Sequence, residues 1–253
     1  MYKIFLLILI SIKLFSLELK IECDQVINNG VINICYNYSA KSPNYVKYKL
    51  SPKSNTKQSI KKRPRFYRDK HIPKKYSVSP NDYIYVTDSK TKKLNFDRSH
   101  LAPDADFDYD YKTLLKVYTM ANIVAMRSEV NRGIWLEKEE RERSLVSKYN
   151  NLNIISGALY EDNDLFLVKK DISEIIKLKE KRYHRKLSNK EIEKITKKYK
   201  KYDRKLRKKH ILIPTKLFKI IKGRNFQECY LVDNLKNKLI SDKCNVVLNI
   251  IEN

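Results

Sequence analysis

Strand-like segments in both the first and the last third of the chain constrain the fold most. Each is rich in β-branched and aromatic residues and lies between turn-forming residues, a composition typical of β-strands. The segments are VINICYNY, YVKYKL, DYIYV, LKVYTMANIV, NLNIISGALY, HILIPTKLFKII and ECYLVDN. Between them, RGIWLEKEERERSLVSK at 132–148 contains good helix formers and no proline, which predicts a helix that begins near Gly133. The pattern predicts a mixed fold of strands and helices.

The net charge of the chain constrains its partners. The 253 residues include 54 Lys and Arg against 29 Asp and Glu, a formal net charge of +25, and 42% are hydrophobic, enough for a core. A surface field of this sign attracts polyanions, so nucleic acid is the first candidate partner and an anionic membrane surface the second. The alternative is a lysine-rich surface that only keeps the protein soluble.

The first 16 residues have the composition of a secretory signal. MYK is a short positive start, IFLLILISI is an apolar run too short to span a membrane, and Ser16 is a small residue suited to cleavage, although Lys13 interrupts the segment. We therefore expect a periplasmic or secreted protein with no stable membrane insertion after cleavage. An uncleaved segment that anchors the protein in the membrane is the alternative.

Four cysteines form two pairs, one near each end of the chain: Cys23, Cys35, Cys229 and Cys244. An even count in an exported chain indicates disulfides, and three connectivities are possible. We favour Cys23–Cys35 with Cys229–Cys244 because each bond closes a short local loop. Zinc binding is disfavoured because the closely spaced CxxC pairs of structural zinc sites are absent from the sequence.

A short polar turn, FDRSHLAPDADF at 96–107, carries the chemistry. It offers the carboxylate of Asp97, the guanidinium of Arg98, the hydroxyl of Ser99 and the imidazole of His100. Imidazole titrates near neutral pH, so His100 is suited to take a proton from an attacking water. This mixture of groups is more typical of catalysis than of packing.

Two further segments accompany the turn. A basic arm broken by two prolines, TKQSIKKRPRFYRDKHIPKKYS, precedes it, and a stripe with one residue at every fourth position follows it. The stripe is formed by Asn131, Trp135, Glu139 and Arg143. Such a stripe lies on one helix face, where a solvated polar surface is the alternative, and Asn131 at the helix entry is also suited to capping.

The order of these pieces resembles the DNA/RNA non-specific endonucleases of the ββα-metal, or His-Me finger, class, which includes endonuclease G. The segments that carry the resemblance are DRSHLAP at 97–103, NIVAMRSEVNRGIW at 122–135, SGALY at 156–160 and IPTKLFKI at 213–220. It implies an α+β ββα-metal nuclease fold with a central, mostly antiparallel sheet flanked by helices. The implied organisation is a signal peptide at 1–16, an N-terminal β extension at 17–60 and a nuclease domain at 61–253.

The resemblance also implies catalytic roles. His100 would be the general base, Asn131 the single protein ligand of Mg²⁺, with Mn²⁺ as the alternative ion, and Glu139 would hold the waters of the metal. One amide oxygen is enough because Mg²⁺ keeps several waters and binds substrate phosphate. Arg98 would bind phosphate or the network beside the metal, and Asn122 would support the site. The implied activity is hydrolysis of DNA and RNA to 5′-phosphorylated products, without a small-molecule cofactor.

Several charged residues are candidates for substrate binding. An arginine of the arm would clamp the scissile phosphate through its planar fork, and the sequence leaves Arg63, Arg65 and Arg68 as alternatives. Arg143 and Asp97 complete the set. A catalytically silent protein that binds nucleic acid at the cell surface or in the periplasm is the alternative function, and intact His100 and Asn131 argue against it. The oligomeric state stays open.

The chain departs from the family pattern in three places. Ser99 replaces the usual glycine before the histidine, and Ala125-Met126 replaces Pro-Gln. An insertion at about 174–209 holds 17 Lys and Arg against 5 Asp and Glu, and we expect one or two helices there with basic faces outward. The remaining histidines, His71, His184 and His210, are expected at the surface or in structural roles, and Trp135 in the core.

Overall fold

The computed structural model describes residues 19–55 and 60–252. The predicted signal segment at 1–16 lies outside this part of the chain. The strands are β1 (Gln25–Asn28), β2 (Ile32–Asn37), β3 (Ser42–Leu50), β4 (Val86–Asp88), β5 (Phe96–His100), β6 (Ile123–Arg127), β7 (Leu152–Leu159), β8 (Leu167–Lys169), β9 (Lys216–Lys222), β10 (Gln227–Asp233) and β11 (Lys238–Ser241). The α-helices are α1 (Tyr111–Val117), α2 (Ser128–Arg132), α3 (Ile134–Tyr149), α4 (Ile172–Tyr183), α5 (Asn189–Arg207) and α6 (Cys244–Glu252).

A seven-stranded sheet forms the centre of the molecule, in the order β1-β2-β3-β7-β9-β10-β11. Every neighbouring pair in it is antiparallel. The predicted α+β fold with a central antiparallel sheet flanked by helices is therefore confirmed. Strands β1 to β3, from the segment predicted as an N-terminal extension, are part of this sheet because β3 pairs directly with β7. The domain boundaries at residues 16 and 60 stay predictions.

Strand β9 shows how the sheet separates two apolar layers. Successive side chains of a strand point to opposite faces. Leu217 and Ile221 face the core that contains Trp135 of α3, while Phe218 and Ile220 face the layer closed by α6. The predicted core position of Trp135 is confirmed, because its side chain is fully buried. Trp135 thus anchors α3 against one face of the sheet. This packing sets the position of α3 relative to the polar motif.

The polar motif lies on a strand of its own, outside the central sheet. Strand β5 pairs antiparallel with β6, from Phe96 opposite Arg127 to His100 opposite Ile123, and α2 begins directly after β6. The expectation of a turn over 96–107 is therefore wrong for residues 96–100, whose backbone is extended and paired, whereas Asp104–Asp106 do form a 3-10 turn. Ser99, at the position of the family's glycine, does not adopt a positive φ. The β5-β6-α2 unit supplies the two strands and the helix of a ββα site.

Several details of local structure differ from the prediction. The segment DYIYV is not a strand, since Pro80–Tyr83 form a 3-10 turn and β4 begins only at Val86. The segment LKVYTMANIV is not one strand, since its first three residues end α1, Met120–Asn122 form a 3-10 turn and only the last two belong to β6. The reason is local: Asp110 caps α1 by accepting from the amide of Thr113 at 2.8 Å. The helix predicted near Gly133 is confirmed as α3, whereas Asn131 lies in the separate short helix α2.

Both local disulfides are present. Cys23–Cys35 joins the segment before β1 to β2, with 5.1 Å between Cα atoms, and Cys229–Cys244 joins β10 to α6, with 4.9 Å. The favoured connectivity is therefore confirmed. Each bond ties a terminal element to a neighbouring strand of the sheet.

The basic insertion contains α4 and α5, which dock on the core through a few apolar residues. Ile175 of α4 and Leu206 of α5 are buried, while the lysines at 197, 198, 200 and 201 are exposed. Ser188 and Glu191 form a reciprocal capping box that starts α5. Within residues 19–55 and 60–252, no helix is long and apolar enough to span a membrane.

Candidate active site

Strand β5 divides the polar motif between two sides. Arg98 and His100 contact the aromatic ring of Phe66 from the arm, whereas Asp97 and Ser99 hydrogen-bond to Asn131 of α2. This division follows from the alternation of side chains along an extended strand. One strand therefore carries the predicted base on one side and holds the predicted metal ligand on the other.

His100 lies in an aromatic enclosure. Its ring stacks on Phe66, with centroids 5.1 Å apart, and meets Tyr118 edge-on at 5.0 Å. The Nε2 atom is buried and has no hydrogen-bond partner among the residues that the structure describes. A buried polar atom without a partner marks a place where water or a substrate group would bind. The rings fix the orientation of the imidazole and leave a nitrogen available.

The surroundings of His100 favour the neutral imidazole. Burial is the main cause that lowers its pKa; Asp104 opposes this effect, the nearby cations Arg98 and Arg63 add to it, and the resulting pKa is about 4. The ring is therefore unprotonated at neutral pH. A general base must be unprotonated before it can accept a proton, so this environment suits the predicted role.

The loop after the motif links His100 to the basic arm. The Tyr118 hydroxyl donates to the Asp104 carboxylate at 2.7 Å, and Arg63 lies 3.5 Å from the same carboxylate and 3.0 Å from that of Asp108. Nη1 of Arg63 is buried without a partner among the described residues. Arg63 is thus held beside the base with part of its fork unused. Asp104 and Tyr118 were not predicted from the sequence.

Asn122 fixes the backbone of this loop. Its amide nitrogen donates to the carbonyls of Ala102 and Val117 at 3.0 and 2.9 Å, and its amide oxygen accepts from the Ala102 N–H at 2.9 Å. The side chain is fully buried. These contacts hold the chain just beyond His100, so the structure favours a positioning role for Asn122 over direct participation in chemistry.

Asn131 is oriented by two neighbours on β5. The hydroxyl of Ser99 donates to its Oδ1 atom at 2.5 Å, and its Nδ2 atom donates to Asp97 at 3.1 Å. Because a carboxylate accepts, the end of the amide that contacts Asp97 is the nitrogen. The other end is then the oxygen, and the Ser99 hydroxyl donates to it. The amide oxygen, a hard ligand of the kind Mg²⁺ prefers, is therefore held in one direction.

Asp97 is occupied by contacts within the protein. Besides Asn131, it accepts from the guanidinium of Arg132 through two bonds of 3.0 and 2.9 Å and from the Ser128 hydroxyl at 3.0 Å. All three donors belong to α2. The predicted substrate-binding role of Asp97 is not supported by these contacts, which instead fasten α2 to β5.

Helix α3 brings two further predicted residues to the site. Burial is the main cause that raises the pKa of Glu139; Lys219 and Arg143 oppose the rise, Glu142 and Asp104 add to it, and the resulting pKa is about 8. Arg143 pairs with the fully buried Asp106 at 3.0 Å. Arg143 therefore anchors α3 to the loop that follows the motif, and its contacts favour positioning over substrate binding.

A buried ion pair near Glu139, formed by Glu142 and Lys219, was not predicted from the sequence. Glu142 and Lys219 are both fully buried, with 2.7 Å between Nζ and the carboxylate, and the Tyr48 hydroxyl donates to the same carboxylate at 3.0 Å. Lys219 also lies over the ring of Trp135, 5.1 Å from its centroid. The sequence held a signal, since in KLFKIIK a lysine occupies a core-facing position of an apolar strand.

The three candidate arginines of the arm differ in position. Arg63 contacts Asp104 and so belongs to the group formed by His100, Phe66, Tyr118 and Asp104, here called the His100 cluster. Arg65 is exposed and lines a cleft between the arm and α1. Arg68 is exposed and donates to Ser77 of the arm itself at 3.0 Å. Arg98 lies with its guanidinium 4.8 Å from the Phe66 ring centroid, and burial lowers its pKa. Arg63 and Arg98 are therefore the arginines nearest the base.

The residues around Asn131 fit a metal that keeps most of its water. No group of three or more His, Cys, Asp or Glu with metal-binding geometry is found in the part of the chain that the structure describes. A metal here would therefore rely on the Asn131 oxygen, with an oxygen of the Glu139 carboxyl group able to accept from its waters. Mg²⁺ tolerates such a shell because it gives up its waters reluctantly.

The other three histidines lie away from this cluster, as predicted. His71 is exposed and contacts Asp69 at 2.9 Å, and His210 is exposed and contacts the Asn163 carbonyl at 2.9 Å. His184 is exposed at the C-terminal end of α4. Of the four histidines, only His100 has both an aromatic enclosure and an unpartnered buried nitrogen among the described residues.

Comparison with known proteins agrees with this geometry. The chain is 28% identical over 128 residues to the "Mitochondrial nuclease" of Saccharomyces cerevisiae, covering 50% of this chain and 36% of that one. It is 26% identical over 138 residues to "Nuclease EXOG, mitochondrial" of Xenopus laevis, covering 54% and 36%. The matched regions thus span little more than a third of the length of these relatives.

The fold has a solved counterpart. The structure described as "Crystal structure of the EndoG/EndoGI complex: Mechanism of EndoG inhibition" superposes with a TM-score of 0.56 at 18% identity, covering 85% of this chain and 75% of that one. The sequence profile described as DNA/RNA non-specific endonuclease matches residues 11–245, nearly the whole chain. The chain therefore belongs to the DNA/RNA non-specific endonuclease family.

Proposed function

We propose that this protein is an exported, Mg²⁺-dependent endonuclease that cuts DNA and RNA with little sequence preference and leaves 5′-phosphorylated ends. The observation that carries the proposal is the environment of His100, a neutral imidazole with an unpartnered buried nitrogen, on the strand whose other side orients Asn131. A protein that only binds nucleic acid has no need of a desolvated, neutral histidine. The same observation argues against the silent alternative.

His100 is the group that takes a proton in the proposed reaction. Its neutral ring would accept the proton of a water aligned with the scissile phosphorus, and Phe66 and Tyr118 hold the ring in place. Asn131 would hold Mg²⁺ by its amide oxygen, with Glu139 accepting from the waters around it. When bound, that ion would stabilise negative charge on the phosphate and on the leaving oxygen.

Arginine side chains beside the base would fix the phosphate. Arg63 keeps an unpartnered Nη1 while two carboxylates hold the rest of its fork. Arg98 stacks on Phe66 and donates to the Pro80 carbonyl at 3.5 Å. Fixed arginines position a phosphate without a cost of reorganisation. We therefore propose Arg63, rather than Arg65 or Arg68, as the arm residue at the scissile phosphate.

The test is digestion of supercoiled plasmid and of unstructured RNA with Mg²⁺, with Mn²⁺ and with EDTA. We expect cleavage of both polymers with Mg²⁺, none with EDTA, and ends that a ligase joins without prior phosphorylation. His100→Ala should lower turnover by several orders of magnitude, while His71→Ala, the control at an exposed histidine, should not change it. Near-normal turnover by His100→Ala would refute the base assignment.

Export is proposed from the N-terminal sequence and is supported by the disulfides. Cys23–Cys35 and Cys229–Cys244 are both formed, a state typical of oxidising compartments. The check is expression of the full chain, followed by N-terminal sequencing of the material that leaves the cytoplasm. Export would give a new N-terminus near residue 17, whereas an intact Met1 on membrane-bound material would favour the anchored alternative.

A further inference from the structure

A cleft of about 960 Å³ lies between the basic arm and α1, beside the His100 cluster. Arg63 lines it, and Arg63 is also the arm residue that contacts Asp104. The cleft therefore begins where the scissile phosphate would bind and continues away from it. Eight further residues line it, among them Lys62, Arg65, Tyr67, Tyr111, Leu115 and Lys116.

The arm presents alternate faces to the site and to the cleft. Phe66 stacks on His100, whereas Tyr67 lines the cleft and is 37% exposed. The backbone of Tyr67 is pinned, since its N–H donates to the Tyr118 carbonyl at 3.2 Å and its carbonyl accepts from Met120 at 2.8 Å. The exposed ring of Tyr67 is thus carried on fixed backbone, one residue from the ring that holds the base.

Helix α1 supplies the opposite wall. Tyr111 is 52% exposed and Leu115, one turn later on the same helix face, is 39% exposed. Large apolar side chains so exposed on two facing elements are not explained by packing of the core. Aromatic faces left open to solvent are suited to stacking with nucleobases.

The charges of the cleft define the ligand further. Lys62, Arg65 and Lys116 are all exposed at its edges. No carboxylate lines it in the described part of the chain. Cations at the rim with aromatic rings between them match a polymer that alternates phosphates with flat bases, and exposed bases occur in single strands rather than in duplexes.

We propose that this cleft binds the single-stranded nucleotides that flank the scissile phosphate. Bases stack on Tyr67 and Tyr111, and the phosphates between them are neutralised by Lys62, Arg65 and Lys116. The proposal deepens the nuclease function and rests on it for the direction of the strand. It assigns the exposed Arg65 to a flanking phosphate and predicts tighter binding of single strands and of unpaired segments than of duplex.

The experiment measures binding without requiring turnover. Fluorescence anisotropy with a labelled 12-nucleotide single strand in EDTA, with a gel to show that the strand stays intact, compares Tyr67→Ala and Tyr111→Ala with the unmodified protein. Tyr109→Ala is the matched control, because Tyr109 is also 37% exposed and is not among the residues that line the cleft. A second probe keeps the sugar-phosphate chain but carries no bases.

We expect Tyr67→Ala and Tyr111→Ala each to weaken binding of the normal strand by about 5-fold or more, as for loss of one stacked base. Tyr109→Ala should leave it unchanged, and the base-free strand should bind all four proteins alike. Equal loss with the base-free strand, or no loss at either tyrosine, would overturn the proposal. Failure of the nuclease function would instead show as absence of cleavage by the unmodified protein.

Melting temperatures of the variants separate a local effect from misfolding. Tyr67 is as exposed as Tyr109, and Tyr111 is more exposed, so removal of either ring should shift the melting temperature no more than Tyr109→Ala does. As a second pair of variants, Tyr67→Phe and Tyr111→Phe keep a ring and should bind the normal strand as the unmodified protein does. Loss of binding in these two variants would show that the hydroxyls matter rather than stacking, and would also overturn the proposal.

Discussion

The hydroxyl of Ser99 lies 2.5 Å from the Oδ1 atom of Asn131, the atom proposed to bind the metal. The family pattern that the motif resembles has glycine at this position, and glycine has no side chain to make such a bond. Ser99 is buried on β5 and also contacts the sulfur of Met126 at 3.4 Å, so the hydroxyl has little freedom to turn away. Ser99 therefore orients the proposed metal ligand through a hydroxyl that glycine lacks.

Ser99→Ala should weaken the apparent affinity for Mg²⁺ several-fold, because the Asn131 amide loses the donor that fixes its oxygen and keeps only the bond to Asp97. The measurement is a Mg²⁺ titration of cleavage, together with calorimetric titration of the protein without substrate. Ser128→Ala is the control, since that hydroxyl contacts Asp97 and not Asn131. An unchanged or tighter Mg²⁺ titration would show that Ser99 does not hold the ligand in place.

His100 predicts a particular pH dependence of stability. Its pKa is about 4 in the folded protein, below the usual value of about 6.5. Between these two pH values the unfolded chain binds a proton at His100 that the folded protein does not bind. The contribution of His100 to the free energy of unfolding is therefore fully present above pH 6.5 and is lost as the pH falls to about 4, by at most about 3 kcal/mol. Urea unfolding in EDTA should show this loss, and His100→Gln should remove that part of the slope. Identical slopes in both proteins would contradict the lowered pKa.

The buried pair of Glu142 and Lys219 predicts that removal of the lysine alone destabilises the protein more than removal of both charges. Lys219→Met should cost about 3–5 kcal/mol of the free energy of unfolding, because Glu142 is left charged and unpaired in the core. Lys219→Met combined with Glu142→Gln should recover most of that loss. The exposed pair of Arg141 and Glu228 is the control, and Arg141→Ala should cost less than about 1 kcal/mol. Urea unfolding provides each value, and additive losses in the double variant would refute the coupling.

The insertion predicts a change in salt dependence rather than in chemistry. Charge reversal to Glu at Lys197, Lys198, Lys200 and Lys201 should raise KM on DNA. It should also flatten the plot of log affinity against log salt concentration, because each lost phosphate contact reduces the steepness of that plot by about 0.9. kcat should stay nearly constant because such contacts are equal in ground and transition states. The control reverses four exposed lysines elsewhere, Lys92, Lys93, Lys236 and Lys238. Equal effects of both sets would show a general charge effect, not a binding surface.

The sequence predicted the site better where its signal was local. The spacing of Asp97 to His100, the helix after Gly133 and the two disulfides each depend on residues close together in the chain. The aromatic enclosure could not be predicted in this way, because Phe66 reaches His100 only through the backbone pairing of Tyr67 with Tyr118 and Met120. The contacts of Asp97 could not be predicted either: the sequence made it a candidate for substrate binding, whereas in the structure three residues of α2 donate to it.

The pairing of β3 with β7 has a consequence for the time course of folding. These neighbours in the sheet are Ser42–Leu50 and Leu152–Leu159, so the arm, the β5-β6-α2 unit and α3 all lie in the chain between them. Contacts between residues so distant in sequence form slowly, because the ordering of the intervening chain must come first. We therefore expect hydrolysis to appear in the slowest phase of refolding, after the local helices and hairpins have formed. A nascent chain that has not yet made β7 would then hold every residue proposed here for catalysis and still leave nucleic acid uncut.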